Sequence, residues 1–172
     1  IDRWALQNDL FSLCISGDGT TKDYLDFTNS YENEDDYITQ SNIAGNLYSL
    51  YNKTMQEPFS YEIKNITHQF FRTLYSKLGW DAKKDEPHTN TLLRSFVLGA
   101  LGKLDDDEII SEANKRFAQY LKNPLSLNPD IQSVVFSIVA WSGDSKTYKK
   151  LLDMYRNAKT QEEKIRFLGS LC

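Results

Sequence analysis

The sequence predicts an all-α protein, a HEAT-like superhelix of antiparallel helix pairs with about eight or nine helices. Helix breakers recur at nearly even spacing, since Gly17, Pro58, Gly102 and Gly143 are separated by 41, 44 and 41 residues. The stretches between them carry apolar residues at helical spacing, and none alternates as a strand would. A period of about 40–47 residues built from helix pairs is typical of HEAT-like arrays, which build curved surfaces.

The first half of the chain predicts four helices. The first, Asp2–Ser16, ends at the glycines that follow it, and Thr20 or Thr21 caps the second. An acidic link leads into the third helix, Tyr37–Met55, and Pro58 suits the first turn of the fourth, which ends at Leu78. The positions expected to face inward in these helices are Ile1, Trp4, Phe11 and Ile15, flanked by Leu6, Leu10 and Leu13, then Tyr24, Thr28 and Tyr31, then Ile43, Leu47, Leu50 and Tyr51, and finally Ile63, Ile66, Phe70, Phe71 and Leu74.

The second half begins with the longest predicted loop, Trp80–Pro87, and continues as further helices. Thr89 is expected to cap a helix over Asn90–Leu101, which is apolar nearly all round and should therefore be central. The remaining helices are predicted over Asp105–Lys122, Ile131–Trp141, Ser145–Arg156 and from Thr160 to the end. Their inward positions are expected to be Ile110, Ala113, Phe117 and Tyr120, then Tyr148, Leu151, Leu152 and Tyr155, and lastly Ile165, Leu168 and Leu171.

Composition excludes several classes of protein. With 40% hydrophobic and 13% aromatic residues among 172, the chain is too apolar to be disordered. A net charge of −4 with scattered lysines and arginines argues against a nucleic-acid partner, and no apolar run approaches transmembrane length. The two cysteines, Cys14 and Cys172, are expected to be a packed thiol and a terminal thiol rather than a disulfide. These features favour a reducing, cytoplasmic location.

The two ends of the chain indicate a fragment of a longer protein. The sequence begins at Ile1 without a methionine, and Thr160–Cys172 resembles the first helix of a further repeat. Left without a following helix, its apolar side chains would form a patch that favours self-association through this C-terminal segment.

No residue constellation predicts catalysis or metal binding in this chain. Its two histidines, His68 and His88, are far apart, and no His-Glu-x-x-His, Cys-x-x-Cys or glycine-rich phosphate loop occurs. Two acidic runs, Glu34–Asp36 and Asp105–Glu108, could hold a hard cation. Each precedes a helix, however, where acidic side chains gain roughly 0.3–1 kcal/mol from the helix dipole, so solvated caps are the favoured interpretation. The many aromatic side chains, including Trp4, Trp80 and Trp141, are expected to pack between helices.

Residues spread in order along the whole chain resemble the C-terminal helical domain of gluzincin zinc aminopeptidases. This family includes the puromycin-sensitive and endoplasmic reticulum aminopeptidases, aminopeptidase N and the tricorn-interacting factors. The similar positions are Asp2-Arg3, Asn8-Asp9, Phe11, Leu13, Gly17, Leu78-Gly79-Trp80, Leu92-Leu93-Arg94, Ala113, Arg116-Phe117, Asn128-Pro129-Asp130, Val134, Phe136 and Gly143-Asp144. The chain departs from the family at Gln132, where many members carry a basic residue, and at Cys14-Ile15-Ser16.

The resemblance implies that residues 1–172 form the first part of a helical domain that closes over a catalytic domain and helps control peptide access. It implies a zinc ion in the catalytic domain of the parent protein, whose ligands do not map onto this sequence. It also implies that Tyr51 faces the peptide cavity, although core packing is the competing interpretation and Asn52 departs from the family's basic residue. The alternative function is a stand-alone HEAT-like scaffold that binds another protein.

Overall fold

A computed structural model describes residues 2–171, and within that range every regular element is helical. The nine α-helices are α1 (Asp2–Ser16), α2 (Thr21–Thr28), α3 (Tyr37–Thr54), α4 (Ser60–Leu78), α5 (His88–Lys103), α6 (Asp107–Lys122), α7 (Pro129–Ser142), α8 (Ser145–Asn157) and α9 (Gln161–Ser170). Two short 3-10 turns, Asn29–Tyr31 and Pro124–Ser126, were not predicted. The all-α prediction is confirmed, whereas the superhelical arrangement stays a prediction. None of the helices described combines the length and apolarity needed to cross a bilayer.

The chain divides into two compact units, Ile1–Phe70 and Phe71–Cys172, and the division falls inside α4. In the first unit α1 packs against α2 and α3. One cluster of its core has four buried side chains, two of them tyrosines. The ring centroid of Phe11 lies 5.0 Å from that of Tyr24, which explains why the aromatic residues of α1 and α2 recur at helical spacing. The buried members of this cluster are Tyr24, Tyr31, Ile43 and Leu47.

The inward face of α1 differs from the prediction. Leu6, Leu13 and Ile15 are exposed, and the buried residue of this helix is Gln7. The physical reason is that the side-chain amide of Gln7 forms hydrogen bonds with polar side chains of α2 and α3, so it is buried without losing its hydrogen-bond partners. Apolar periodicity alone could not reveal this, because the buried position is polar. The predicted role of Ile1 lies outside the described residues.

In the second unit α7 is the central helix, since it packs against α5, α6, α8 and α9. Phe136 on α7 is fully buried and contacts three aromatic rings. Its ring centroid lies 5.8 Å from Phe117, 5.0 Å from Tyr120 and 5.3 Å from Phe167. Helix α5, which was expected to be central, packs against α6 and α7, and its buried residues include Leu93, Val97, Leu98 and Leu101. The aromatic cluster around α7 explains why the core centres there.

Several helix boundaries differ from the prediction by one or two residues, and α5 continues to Lys103 through Gly102, which was predicted to break the helix. The starts of α5 and α6 have a clear local cause. Helix α5 begins at His88 rather than after Thr89. Pro87, with φ −58°, precedes the helix, and its carbonyl oxygen accepts the first hydrogen bond, from Asn90 N at 2.9 Å. Helix α6 begins at Asp107, because Asp105 adopts a left-handed conformation with φ 62° and closes α5. Asp106 is then the N-cap and accepts from Ile109 N at 3.1 Å. The buried isoleucine of α6 is consequently Ile109, not Ile110.

Helix α9 buries a different stripe from the one predicted. Ile165 and Leu168 are 63% and 47% exposed, whereas Phe167 is 5% exposed. Phe167 is stacked on Phe136 at an interplanar angle of 29°, and this aromatic contact sets the rotation of the helix. Trp141, expected to pack between helices, is likewise more than half exposed and lies near Lys103, whose Nζ is 5.8 Å from the ring centroid.

A repeated tripeptide does not have a repeated conformation. Ser-Gly-Asp occurs at residues 16–18 and 142–144. Gly17 has φ 89°, whereas Gly143 has φ −87° and an extended backbone. Asp144 caps α8 by accepting from Thr147 N at 2.9 Å, but α2 is capped by Thr20, through a reciprocal bond with Asp23. The two copies are thus similar in sequence and distinct in backbone geometry.

Candidate functional site

Tyr51, the residue singled out by resemblance, lies in the last turns of α3 and is half-buried. Its ring centroid is 6.3 Å from that of Tyr48, at an interplanar angle of 52°. Burial raises the pKa of Tyr48, while a hydrogen bond with the Asn52 side chain acts in the opposite direction. Asn52 itself is exposed. This pair of rings beside an exposed amide can stack on a ligand and hydrogen-bond to it, but it contains no acid, base or nucleophile pair for catalysis.

The helix that carries Tyr51 is held by a buried polar network. The side-chain oxygen of Gln7 accepts from Tyr24 Oη at 3.2 Å and from Asn46 Nδ2 at 3.2 Å. The amide of Gln7 donates to Asn42 on the same face of α3. Burial raises the pKa of Tyr24 strongly, so its hydroxyl remains a donor. Because unpaired buried amides are costly, this network fixes the rotation of α3 relative to α1 and α2.

One feature of the sequence weakly indicated this hydrogen-bond network. Asn42 and Asn46 are four residues apart on α3 and thus share one face of the helix. Nothing in the local pattern indicated that their partners would be Gln7 and Tyr24, which are remote in sequence.

The two histidines lie in different units of the chain. His68 lies on α4 in the first unit and is partly buried, whereas His88 is the exposed first residue of α5 in the second unit. Among residues 2–171 the structure brings together no group of three or more histidine, cysteine or carboxylate side chains that could hold a metal ion. Cys14 is a free, partly buried thiol 3.5 Å from the hydroxyl of Thr21, and Cys172 lies outside the described residues.

The acidic runs were expected to be solvated caps, and this is only half right. Asp36 does cap α3, accepting from Thr39 N at 2.9 Å, and Asp106 caps α6. However, Glu34 and Asp106 are 5% and 3% exposed. Glu34 accepts from two backbone amides and lies 3.4 Å from Arg3 Nε, while Asp106 is paired with Arg72 at 2.6 Å. Each carboxylate is buried because an arginine and backbone donors compensate its charge.

Arg94 holds the loop between α4 and α5 and was not predicted to be a buried residue. Its guanidinium is 1% exposed, donates to Leu78 O at 3.3 Å and pairs with Glu86 Oε2 at 2.6 Å. This hydrogen bond lowers the pKa of Glu86. The side chain of Arg94 on α5 therefore contacts both Leu78, just before the loop, and Glu86, near the end of the loop. Its other conformational features are the left-handed residues Gly79 and Asp85.

Arg116 of α6 holds the start of the same loop. It makes a bidentate pair with Asp81, both N–O distances being 2.7 Å, and its Nε contacts Glu112 at 2.9 Å. The guanidinium carbon lies 4.9 Å from the ring centroid of Trp80. The hydrogen bonds from Arg116 lower the pKa of Asp81. The sequence offered no signal for the contacts of Arg116 with Trp80 and Asp81 beyond the match of Arg116 and Trp80 to the resembled family, because both partners lie 35 or more residues away.

Comparison with known proteins places this arrangement in context. The ERAP1-like C-terminal domain family matches the chain over residues 1–172. The chain is 34% identical over 179 aligned residues to Aminopeptidase M1 of Arabidopsis thaliana and 30% identical over 178 to Aminopeptidase M1-B of Oryza sativa subsp. japonica. It is 29% identical over 174 to Aminopeptidase 2 of Candida albicans. These alignments cover 98–99% of the chain but 19–20% of each relative, so the chain spans about a fifth of the length of the relatives it matches.

Proposed function

The chain belongs to the ERAP1-like C-terminal domain family, and from this premise we propose that it acts as part of the helical domain of a zinc-dependent aminopeptidase. In this role it closes over the catalytic domain of the same polypeptide and helps control which peptides reach the zinc. The observation that carries the proposal is the match over the entire chain to relatives that are named aminopeptidases and are about five times longer.

The chemistry of hydrolysis would then belong to another part of the polypeptide. The described residues bring together no metal-ligand cluster, so zinc ligands would have to be supplied from outside residues 2–171. Under this proposal the chain contributes a binding surface and a fixed arrangement of its helices and loops. Arg94 and Arg116 hold one loop of the second unit in place, and the Gln7 network fixes the rotation of α3 in the first unit.

Within this role we propose that Tyr51 contacts the peptide. Its ring is half-buried against Tyr48, and the neighbouring Asn52 is exposed, so the pair can offer an aromatic face and an amide to an extended chain. A long peptide could reach such a contact on a capping domain, whereas a single-residue substrate could not. The scaffold alternative would leave Tyr51 as one contact in a protein-binding face, and the aminopeptidase relatives favour the first interpretation.

A self-association surface is proposed on α9. Ile165 and Leu168 are exposed on α9, and Trp141 is exposed at the end of α7. Burial of such side chains is favourable by roughly 1.5–3 kcal/mol each, so a second copy could cover them.

The experiment that tests the main proposal uses the full-length gene product. Its coding sequence should contain His-Glu-x-x-His outside the region that encodes residues 1–172, because two histidines one turn apart on a helix can bind zinc beside a glutamate base. The purified protein should contain about one zinc per chain and release an amino-terminal residue from a fluorogenic aminoacyl substrate. A full-length product with no such motif and no peptidase activity would favour the scaffold alternative.

A cytoplasmic location is also proposed. Its support is the free thiol of Cys14, which is compatible with a reducing compartment. Fractionation of the source cells checks it, and recovery of the protein only from a secreted or membrane fraction would contradict it.

A further inference from the structure

Helix α8 presents a row of lysines that the proposed function does not use. Lys146, Lys149 and Lys150 lie three and four residues apart, so they share one face of the helix, and all three are exposed. Within residues 2–171 none of their ammonium groups has an ion-pair partner or a hydrogen-bond partner. We refer to these three residues as the α8 lysine face.

This lack of partners distinguishes the α8 lysine face from the arginines of the same unit. The carboxylates nearest in sequence to the lysines have other partners. Asp144 accepts from the backbone of Lys146 and Thr147 as the N-cap, and Asp153 lies 3.9 Å from Arg156. The fold therefore leaves the charge of these lysines uncompensated. By contrast, four arginines of the unit have a nitrogen 2.6–2.7 Å from a carboxylate oxygen, namely Arg72, Arg94, Arg116 and Arg166.

The arrangement of the lysines does not stabilise α8. Like charges four residues apart on a helix repel each other, as Lys146 and Lys150 do. Lys146 also lies in the first turn, where the helix dipole disfavours a cation. The surrounding unit, Phe71–Cys172, has 16 lysines and arginines against 13 aspartates and glutamates, whereas Ile1–Phe70 has 4 against 11. An anionic partner bound along α8 would relieve this repulsion.

A cavity of about 160 Å³ borders the same helix. Tyr148, the residue before Lys149, and Trp141 of α7 line it, and their side chains are 50% and 56% exposed. Gly169 lines it without filling it, since a methyl group added there would meet nothing within 4 Å. Lys103, whose Nζ lies 5.8 Å from the ring centroid of Trp141, adds a cation to the wall. We refer to this space as the Tyr148 cavity.

The chemistry of the surface favours a polypeptide over a membrane or a nucleic acid. The apolar side of α8 is buried through Leu151, so that side cannot enter a bilayer. Phosphates are recognised best by the planar fork of arginine, whereas the α8 lysine face consists of point charges, which carboxylates also match. The Tyr148 cavity can take one large apolar side chain, which an acidic peptide segment can supply next to its carboxylates.

We propose that the α8 lysine face and the Tyr148 cavity together bind an acidic segment of a partner polypeptide. Aspartate or glutamate side chains of the segment pair with the three lysines, and an aromatic or large aliphatic side chain lies between Tyr148 and Trp141. This inference goes beyond the proposed function and does not depend on it, because binding is measured on this chain alone. Trp141 also belongs to the proposed self-association surface, so a second copy would compete with the segment.

The test is a titration of the ¹⁵N-labelled chain with a capped Glu-Asp-Glu-Phe-Gly peptide at low salt, at a fixed chain concentration at which sedimentation shows a monomer. The matched probe is Gln-Asn-Gln-Phe-Gly, which keeps the shape of the peptide and removes its charge. The indole resonance of Trp141, assigned with Trp141→Phe, should move, while that of Trp4 is the internal reference. The acidic peptide should bind about tenfold more tightly than the neutral one, and this difference should nearly vanish at about 1 M salt.

Variants separate the contribution of charge from that of the cavity. Lys149→Gln/Lys150→Gln should weaken the acidic peptide about fivefold, because two of the three charges are removed. Lys83→Gln/Lys84→Gln, the same change at two exposed lysines of the loop before α5, should leave the affinity unchanged. Tyr148→Ala should weaken Glu-Asp-Glu-Phe-Gly about threefold and leave Glu-Asp-Glu-Gly-Gly unaffected, since only the first peptide fills the cavity.

Circular dichroism shows that the variants keep their helix content. The proposal is overturned if the Trp141 resonance does not move, if the neutral peptide binds as well as the acidic one, or if the two lysine variants behave alike. Tighter binding to phosphatidylserine vesicles or to a single-stranded RNA of equal charge than to the acidic peptide also overturns it, because the partner would then be a lipid surface or a nucleic acid.

Discussion

Arg94 and Glu86 form an ion pair in which both side chains are withdrawn from water. The distance between Arg94 NH2 and Glu86 Oε2 is 2.6 Å, and the side chains are 1% and 10% exposed. The guanidinium also donates to Leu78 O, so one side chain joins the end of α4, the loop and α5. A buried pair of this kind contributes more to a unique loop conformation than to net stability, because desolvation offsets much of the Coulomb attraction.

Removal of Arg94 should therefore be strongly destabilising. Arg94→Met leaves the carboxylate of Glu86 buried without a partner, and we expect a loss of about 3–5 kcal/mol in the free energy of unfolding. Urea denaturation followed by circular dichroism measures it. Arg156→Met, which removes an exposed arginine from α8, should change stability by less than about 0.5 kcal/mol. The double variant Arg94→Met/Glu86→Leu should recover much of the loss, and an Arg94→Met protein as stable as the parent would contradict this account.

Acid should weaken the loop. Hydrogen bonds from Arg94 and Arg116 lower the pKa values of Glu86 and Asp81 in the folded protein. Both pairs therefore contribute their full stability above the unfolded carboxyl value of about 4, and lose it as pH falls through the lower folded value. The difference between the urea midpoints of the parent and Asp81→Asn should be largest at pH 7 and should shrink as the pH is lowered below about 4. A difference that stays constant across this acid range would show that the charge of Asp81 is unimportant.

The contact between α5 and α7 depends on Gly102. A methyl group at this position would lie 2.7 Å from Cγ1 of Ile138. Gly102→Ala should cost about 1–3 kcal/mol, since overpacking forces neighbouring side chains or backbone to shift. Gly169→Ala on α9 meets nothing within 4 Å and serves as the matched control in the same unit. Thermal unfolding measures both, and equal midpoints for the two variants would mean that the helices separate easily at this contact.

Tyr51 should matter for long peptides only. In the full-length protein Tyr51→Ala should lower kcat/KM for a ten-residue peptide several-fold while leaving a single-residue substrate unchanged, because only the long chain reaches α3. Tyr61→Ala, at a 70% exposed tyrosine on α4, provides the matched control. Equal effects of Tyr51→Ala on both substrates, or no effect on either, would assign Tyr51 to helix packing.

The exposed stripe on α9 should drive self-association. Sedimentation velocity of the chain should show a dimer that forms as concentration rises, and Ile165→Glu/Leu168→Glu should abolish it by placing charge on the apolar surface. Leu125→Glu is the control, because this leucine is 93% exposed in the 3-10 turn and lies on no helix of the patch. A parent chain that stays monomeric at high concentration would rule the surface out.

The sequence by itself determined the class and most helix limits. Several local features were both predicted and observed: the helical spacing of apolar residues, a threonine cap for α2 at Thr20 or Thr21, an acidic cap at the end of the Glu34–Asp36 run, and the end of α4 before Gly79. These features are local, since a cap or a breaker acts within one turn of its own position. The resemblance, carried by packing and turn residues in order, indicated the family that the comparison then showed.

Only the tertiary structure decided which faces are buried and which charges are paired. Gln7, Glu34, Arg94 and Asp106 are polar, so their sequence pattern predicts exposure, yet all are buried. Each is buried because partners from other segments satisfy its donors or charge, as Arg94 does for Glu86 and Tyr24 does for Gln7. The stripes of α1 and α9 were misassigned for the same reason. A helix has several apolar or amphipathic faces in its sequence, and the neighbour it meets selects one of them.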